Sequence, residues 1–267
     1  MMLSQIFDRL PQDFPWKNHV QHFHCVDSTN TLAKSMAAQG APEGTVLIAD
    51  GQTGGKGRLG RSFLSPSGTG IYMSILLRPQ CKPDALMHLT CATAVAVCNA
   101  VESACGLRPG IKWTNDLVCG KRKLGGILTE LSVSSQTGLV DYVVIGIGIN
   151  CLQQPEDFDP EIRDIAGSLQ MFCSHTVSRA VLAAEIIRAM HRMSETLLSD
   201  QGNWLEQYRR DCITVGNTVS VMRGDEIRHA VATGIDDKGA LLVQYPDGSA
   251  EAVNSGEVSI RGMYGYV

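Results

Sequence analysis

The spacing of apolar and polar positions changes character three times along the 267-residue chain. His22-Phe23-His24-Cys25-Val26 reads as a strand, followed by a predicted helix over 29–38 with Asp27, Ser28 or Thr29 as N-cap and Gly40 placed to end it. The short apolar runs 45–49 and 71–77 predict buried strands. From a cap at Asp84 to about Cys105 the residues are apolar nearly all round, as in a helix packed deep in a core, and Gly106 stops it. Cys91, Cys98 and Cys105 fall seven apart along that helix and read as small buried hydrophobes. Segments 111–113, 117–119, 124–131 and 139–149 are strand-like, parted by Gly120-Lys121 and by the polar residues 132–138. Three of them therefore form consecutive hairpins, and the sheet is mixed or antiparallel.

The third region begins with an amphipathic helix from Ser178 to about Leu198 and a shorter helix over 204–209. After Gly216 come short alternating stretches, 218–222, 228–235, 240–245, 251–253 and 258–261, with Arg223-Gly224-Asp225, Asp237-Lys238-Gly239 and Pro246-Asp247-Gly248 as turns. This predicts an α/β body over residues 1–215 and a small β barrel over 216–267, without internal repeats.

Composition narrows the function classes. Hydrophobic residues at 44% and charged residues at 19% exclude a disordered chain. Lys plus Arg number 23 against 27 Asp plus Glu, a net charge of -4, so the overall balance points to no nucleic-acid partner and any anion site is local. Nine scattered cysteines without a C-x-x-C pair make neither a disulfide framework nor a zinc pattern, and suit a reducing cytosol. Residues 1–20 carry Asp8, Arg9, Asp13 and Lys17 where a signal peptide would be apolar. The apolar stretches 92–101 and 143–149 fall short of the roughly 20 residues of a membrane span, so a cytoplasmic protein with no membrane partner is expected.

Chemistry concentrates in residues 51–70, which hold seven glycines and the cations Lys56, Arg58 and Arg61, with no Asp or Glu from 51 to 83. Glycines let backbone N–H groups approach an oxyanion, and guanidinium groups add paired donors, so this is an anion-binding loop. Gly55-x-Gly57-x-x-Gly60 matches the dinucleotide fingerprint formally, but 61–68 cannot open a helix. The nucleotide P-loop fails too, because Gly57 follows Lys56 where Ser or Thr is needed. Lys112-Trp113-Thr114-Asn115-Asp116 places charge and amides between two strands, and Gly146-Ile147-Gly148-Ile149-Asn150 is a strand whose glycines permit close backbone approach.

Taken in order, Asp27-Ser28-Thr29-Asn30, the loop Gly51 to Arg61, Lys112 to Asp116, Arg122-Lys123-Leu124-Gly125-Gly126-Ile127-Leu128 and Gly146 to Asn150 resemble biotin protein ligases. The family commonly has Arg where Lys56 stands and Pro where Thr114 stands; Lys56 keeps the charge but loses the planar fork. The resemblance implies a fold related to class II aminoacyl-tRNA synthetases, a mixed sheet flanked by helices, with a C-terminal SH3-like β barrel. It implies that biotin and ATP, with Mg²⁺, give biotinyl-5′-AMP and pyrophosphate, and that biotin passes to one lysine of a biotin carboxyl carrier domain.

By the same resemblance Lys112 steadies charge between the biotin carboxylate and the α-phosphate, Arg58 and the loop close over the intermediate, and Arg61 meets phosphate oxygens. Ser28, Thr29, Asn30 and Gln52 line the biotin side with Gly55, Lys56, Gly57, Gly125 and Gly126; Phe63, Asn115 and Asn150 serve ATP. No general base for lysine transfer stands out, and His22, His24 and Cys25 lack a second cluster that would make a metal site. Some such ligases carry an N-terminal helix-turn-helix domain; with only residues 1–21 before the first strand, a monofunctional ligase that binds no DNA is expected. The oligomeric state stays open, a homodimer included. The rival readings are a lipoate or octanoate ligase of the same fold and a nucleotide- or RNA-binding module, the latter disfavoured because 51–62 lacks interleaved aromatics.

Overall fold

The computed structural model describes residues 2–254 and 259–262. Its body contains α1 (Met2–Phe7), β1 (Val20–Val26), α2 (Thr29–Ala38), β2 (Val46–Gln52), β3 (Gly70–Leu77), α3 (Leu89–Cys105), β4 (Gly110–Lys112), β5 (Asp116–Cys119), β6 (Arg122–Val133), β7 (Val140–Asn150), α4 (Arg179–Thr196) and α5 (Gln201–Asp211). Five strands follow: β8 (Thr218–Arg223), β9 (Glu226–Ile235), β10 (Leu241–Gln244), β11 (Ala250–Val253) and β12 (Ser259–Gly262). The first seven strands form one sheet in the order β1-β2-β3-β7-β6-β5-β4, the last five a separate antiparallel sheet in the order β11-β10-β9-β8-β12. Only β1 and β2 run parallel in the large sheet, which is thus mixed; β5, β6 and β7 are the successive hairpins that the turn residues predict, and β4 adds a further one on β5.

Because side chains alternate across a strand, the large sheet has two differently used faces. Ile71, Met73 and Ile75 of β3 and Val143, Ile145 and Ile147 of β7 belong to the main core. There α3 packs against α4, α5 and β6. On the other face α2 covers Leu47, Leu76 and Val144 with Ala33 and Ala37. Beyond the start of α2 that face carries Ser74 opposite Gly146, Gly148 opposite Tyr72, and Gly126 opposite Gly148. Missing side chains on alternate residues hollow out the sheet surface there.

Two expectations are corrected. Asp84 does not cap the long helix: residues Pro83–Leu86 form one 3₁₀ turn, and α3 starts at Leu89 with His88 at its N-cap. The other end is as expected, with Gly106 left-handed at φ 67°. The apolar runs are also longer than 92–101 suggests, for Pro83–Cys105 is long and apolar enough to cross a membrane by composition. It is instead sheathed by protein, since Val95, Val97, Cys98 and Val101 have no exposed surface. Cys91, Cys98 and Cys105 are buried free thiols. α1 is absent from the sequence reading because six residues are too few for a period; it packs Ile6 against α4. Of the last predicted strand, Val258 lies outside the described residues.

Candidate active site

Ser28 caps α2, its hydroxyl accepting from the Thr31 N–H at 3.4 Å, so the cap residue and the first turn sit over the hollowed sheet face. Gln52 Oε1 accepts from the Thr29 N–H at 2.8 Å and from the Thr29 hydroxyl at 3.1 Å, while Gln52 Nε2 donates to Ser65 Oγ at 2.9 Å. Ser74 Oγ is 2.8 Å from Thr29 Oγ1 and 2.6 Å from Asn30 Oδ1. Both amide oxygens can only accept, so the Thr29 hydroxyl donates to Gln52 Oε1, and the single Ser74 hydroxyl hydrogen is directed at Asn30 Oδ1 and Thr29 Oγ1. Asn30 Nδ2 donates to Glu130 at 2.9 Å, and Glu130 also holds Lys34 at 2.6 Å. Asn30 thus lines the cavity and at the same time braces its wall through Ser74 and Glu130.

The Gly-rich segment is folded, with bridges joining Gln52 to Ser65 and Lys56 to Ser62 and a tight turn at Arg58–Gly60. It makes a flap hinged on β2. Leu59 at its tip is left-handed, φ 55°, and 60% exposed. Gly55 is needed for close approach: a Cβ there would overlap the Phe63 carbonyl and crowd Ser65 and Gln52. Arg58 reaches back from the flap, Nη1 donating to Asn115 Oδ1 at 2.9 Å, while Asn115 Nδ2 donates to the Ile127 carbonyl at 2.8 Å. Burial lowers the Arg58 pKa; Asp116 counters this and Arg61 adds to it, which places an opposite and a like charge beside the guanidinium.

These parts enclose a cavity of about 440 Å³. Ser28, Thr29 and Gln52 stand in one part of its lining, and Lys56, Arg58, Arg61, Lys112 and Lys123 supply five cations to the rest. Asp116 also lines it and pairs with Lys123 at 2.7 Å. A second cavity of about 220 Å³ shares Arg61, Phe63 and Lys123 with the first and adds Asn150, Gln153 and Phe158. The structure thus gathers Ser28, Thr29, Asn30, Gln52, Lys56, Gly57, Arg58, Arg61, Phe63, Lys112, Asn115 and Gly126 around one cavity, with Asn150 around its neighbour.

Gly125 is not in either lining. A Cβ there would overlap the Gly148 carbonyl, so this glycine permits strand pairing. Asn150 donates to the Gly167 carbonyl at 3.0 Å and accepts from Gln153 Nε2 at 3.2 Å. Lys123 belongs to the Arg122–Leu128 motif but is given no role by the sequence, and the β5–β6 pairing is what turns it to the cavity; Ser74 carries no signal, since it looks like any strand serine. His22 and His24 face Asp50, at 3.2 and 3.5 Å, away from both cavities. Among the described residues no group of three or more His, Cys, Asp or Glu could hold a metal ion.

A mixed sheet hollowed by glycines and closed by a cationic flap defines a class that binds an acyl acid beside a nucleotide. The biotin/lipoate A/B protein ligase family matches residues 22–150, and the biotin protein ligase C-terminal domain matches 214–261. The chain is 34% identical to the bifunctional ligase/repressor BirA of Bacillus subtilis over 86% of its own length and 70% of that protein's. It is 30% identical to the biotin–[acetyl-CoA-carboxylase] ligase of Paracoccus denitrificans, spanning 88% of this chain and 98% of that one. The Aquifex aeolicus biotin protein ligase in complex with biotin and ATP superposes with TM-score 0.77 at 27% identity, over 91% of this chain and 98% of the other. The chain belongs to the biotin protein ligase family.

Proposed function

We infer that this chain carries out ATP-dependent biotin ligation. A biotin carboxylate oxygen attacks the α-phosphorus of ATP, pyrophosphate leaves, and the resulting biotinyl-5′-AMP gives its acyl group to a carrier lysine amine, releasing AMP. The observation that carries this reading is the paired cavity itself, whose uncharged polar wall at Ser28, Thr29 and Gln52 is continuous with a lining of five cations. A ureido head group needs hydroxyl and amide partners, whereas carboxylate and triphosphate together need concentrated positive charge. Lipoate, whose dithiolane head has no N–H or C=O, would make no hydrogen bonds to the hydroxyl and amide groups of that wall.

In this reading Lys112 and Lys123 bracket the reacting carboxylate and α-phosphate, Arg58 and Arg61 approach from the flap, and Phe63 with Asn150 receives the nucleotide in the second cavity. Lys56 and the backbone of Gly57 close the rim near the biotin side. Asp116, partnered by Lys123 at 2.7 Å, adds a carboxylate to the cationic lining. Among the described residues there is no His, Cys, Asp or Glu cluster to hold a metal, which fits magnesium brought in on nucleotide phosphates. Bound in that way, it would neutralise phosphate charge. We divide the chain at residue 215 into ligase body and C-terminal unit, place it in the cytosol, and take a biotin carboxyl carrier domain as the acceptor. The net charge of -4 favours such a protein partner over DNA.

Incubation with biotin, ATP and Mg²⁺ should release pyrophosphate and yield biotinyl-5′-AMP by mass spectrometry, and adding a carrier domain should label a single lysine. No pyrophosphate with biotin, or release with lipoate in its place, defeats this reading. Salt-sensitive, sequence-specific retention of duplex DNA would refute the exclusion of a repressor role.

A further inference from the structure

An indole that lines the first cavity hydrogen-bonds to the C-terminal sheet. Trp113 is 4% exposed, lines the first cavity, and is followed by a cis peptide to Thr114. Its backbone N–H donates to Thr214 Oγ1 at 2.8 Å, and its indole Nε1–H donates to the Gly239 carbonyl at 3.0 Å. Gly239 belongs to the turn between β9 and β10, far along the chain in the other sheet.

That turn is rigidly built. Asp236 Oδ1 accepts from the N–H groups of both Lys238 and Ala240 at 2.8 Å, and the Asp236 N–H donates to the Ala240 carbonyl at 3.0 Å. Gly239 is left-handed, φ 87°, and a Cβ there would come within 2.8 Å of Cys91 Sγ, so the turn sits tightly on α3. From α5, Arg209 Nε donates to the Ile235 carbonyl at 2.9 Å, its Nη2 meets Asp237 at 2.7 Å, and Gln201 donates to the Asp237 carbonyl at 2.6 Å. The turn that carries the Gly239 carbonyl is therefore held by its own Asp236, by α3 and by α5, and Cys91 Sγ lies 4.0 Å from that carbonyl.

Trp113 stands between two groups of the cationic part of the cavity: Lys112 precedes it, and Asn115, two residues on, holds Arg58 at 2.9 Å. A ring fixed at both its backbone and its indole end leaves the intervening segment little freedom. We propose that the β9–β10 turn is a positioning device for adenylate formation, in which Asp236 shapes the turn and the Gly239 carbonyl orients Trp113, setting Lys112 and the Asn115–Arg58 pair. This rests on the cavity being the adenylation site, and it gives the C-terminal sheet a part in the first chemical step.

Asp236→Ala removes the acceptor that shapes the turn, Asp236→Asn keeps it, and Trp113→Phe deletes the indole donor. In a pyrophosphate-release assay, Asp236→Ala should lower kcat about tenfold, within the range for small misplacements of reacting groups. The KM for biotin should stay within about twofold, because Ser28, Thr29 and Gln52 have separate supports, and Asp236→Asn should restore kcat. Added to Trp113→Phe, Asp236→Ala should cost less than about a further twofold, since the shared bond is already gone. The indole N–H resonance of Trp113, one of three tryptophans, should shift in Asp236→Ala and return in Asp236→Asn. An unmoved resonance, an unchanged kcat in Asp236→Ala, or defects that multiply in the double variant would overturn the inference. A wild-type chain that releases no pyrophosphate instead refutes the proposed function, and the resonance still decides the coupling.

Discussion

Ser74 illustrates how one buried hydroxyl organises a ligand wall. It has no exposed surface, yet it sets the Asn30 amide and joins the chain of contacts from Thr29 through Gln52 to Ser65. Ser74→Ala would leave the Asn30 oxygen short of a donor in a dry site, a loss of about 1–2 kcal/mol. Titration calorimetry should find biotin bound roughly tenfold more weakly, and wild-type affinity would show that Thr29 and Asn30 keep their places without it. Lys112 is a charged group with 7% exposure. Lys112→Ala should slow adenylate formation by about 10²-fold or more, as loss of one charge-stabilising donor does; a rate near wild type in single-turnover assays would make this lysine structural.

The flap and the sheet floor are elements with opposite demands. The floor must be rigid and bare, and the alternate glycines 146 and 148 make it so: a Cβ at 146 would overlap the Asn30 amide, and one at 148 would come within 2.8 Å of the Phe63 ring. In the proposed reaction the flap would open for substrate and close over an anhydride that water destroys. The Arg58–Asn115 hydrogen bond is the latch visible in its present position. Arg58→Gly should raise escape of the activated acyl group, seen as increased biotinylation of unrelated proteins together with faster loss of bound biotin. Retention matching the wild type would contradict a latch.

The molecule as a whole ties its parts by charge as well as by apolar contact. Glu130 on β6 joins α2 through Lys34 and Asn30. Burial raises its pKa, but hydrogen bonds from Lys34 and Asn30 outweigh this and hold the carboxyl below its usual range. The folded pKa is thus the lower one. The stabilisation is complete above the unfolded carboxyl's value of about 4 and is lost as pH falls through the folded value. In thermal melts across that acid range, Glu130→Gln should lose less stability than the wild type. Parallel curves would mean the ion pair contributes nothing to acid sensitivity. A single apolar core runs from the large sheet into the small one, taking in Trp113, Leu205, Val219 and Leu241, so the two sheets communicate through packed side chains.

Much of this was legible along the chain, because the signals are local. Ser28 as a cap, Gly106 as a stop, the hairpins β5 to β7 and the basic Gly-rich flap are each written in a few neighbouring residues. Long-range register is not written there. Lys123 faces the cavity because β5 and β6 pair as they do, Ser74 meets Asn30 across 44 residues, and the Gly239 carbonyl finds Trp113 across 126. Asn30, Asn115 and Asn150 line the cavities while also hydrogen-bonding to Glu130, Arg58 and Gly167, partners that lie far along the chain from them. Side-chain type and period follow from covalent neighbours; which groups share one dry volume, and which hydrogen bonds are already taken, follows only from the folded packing of distant segments.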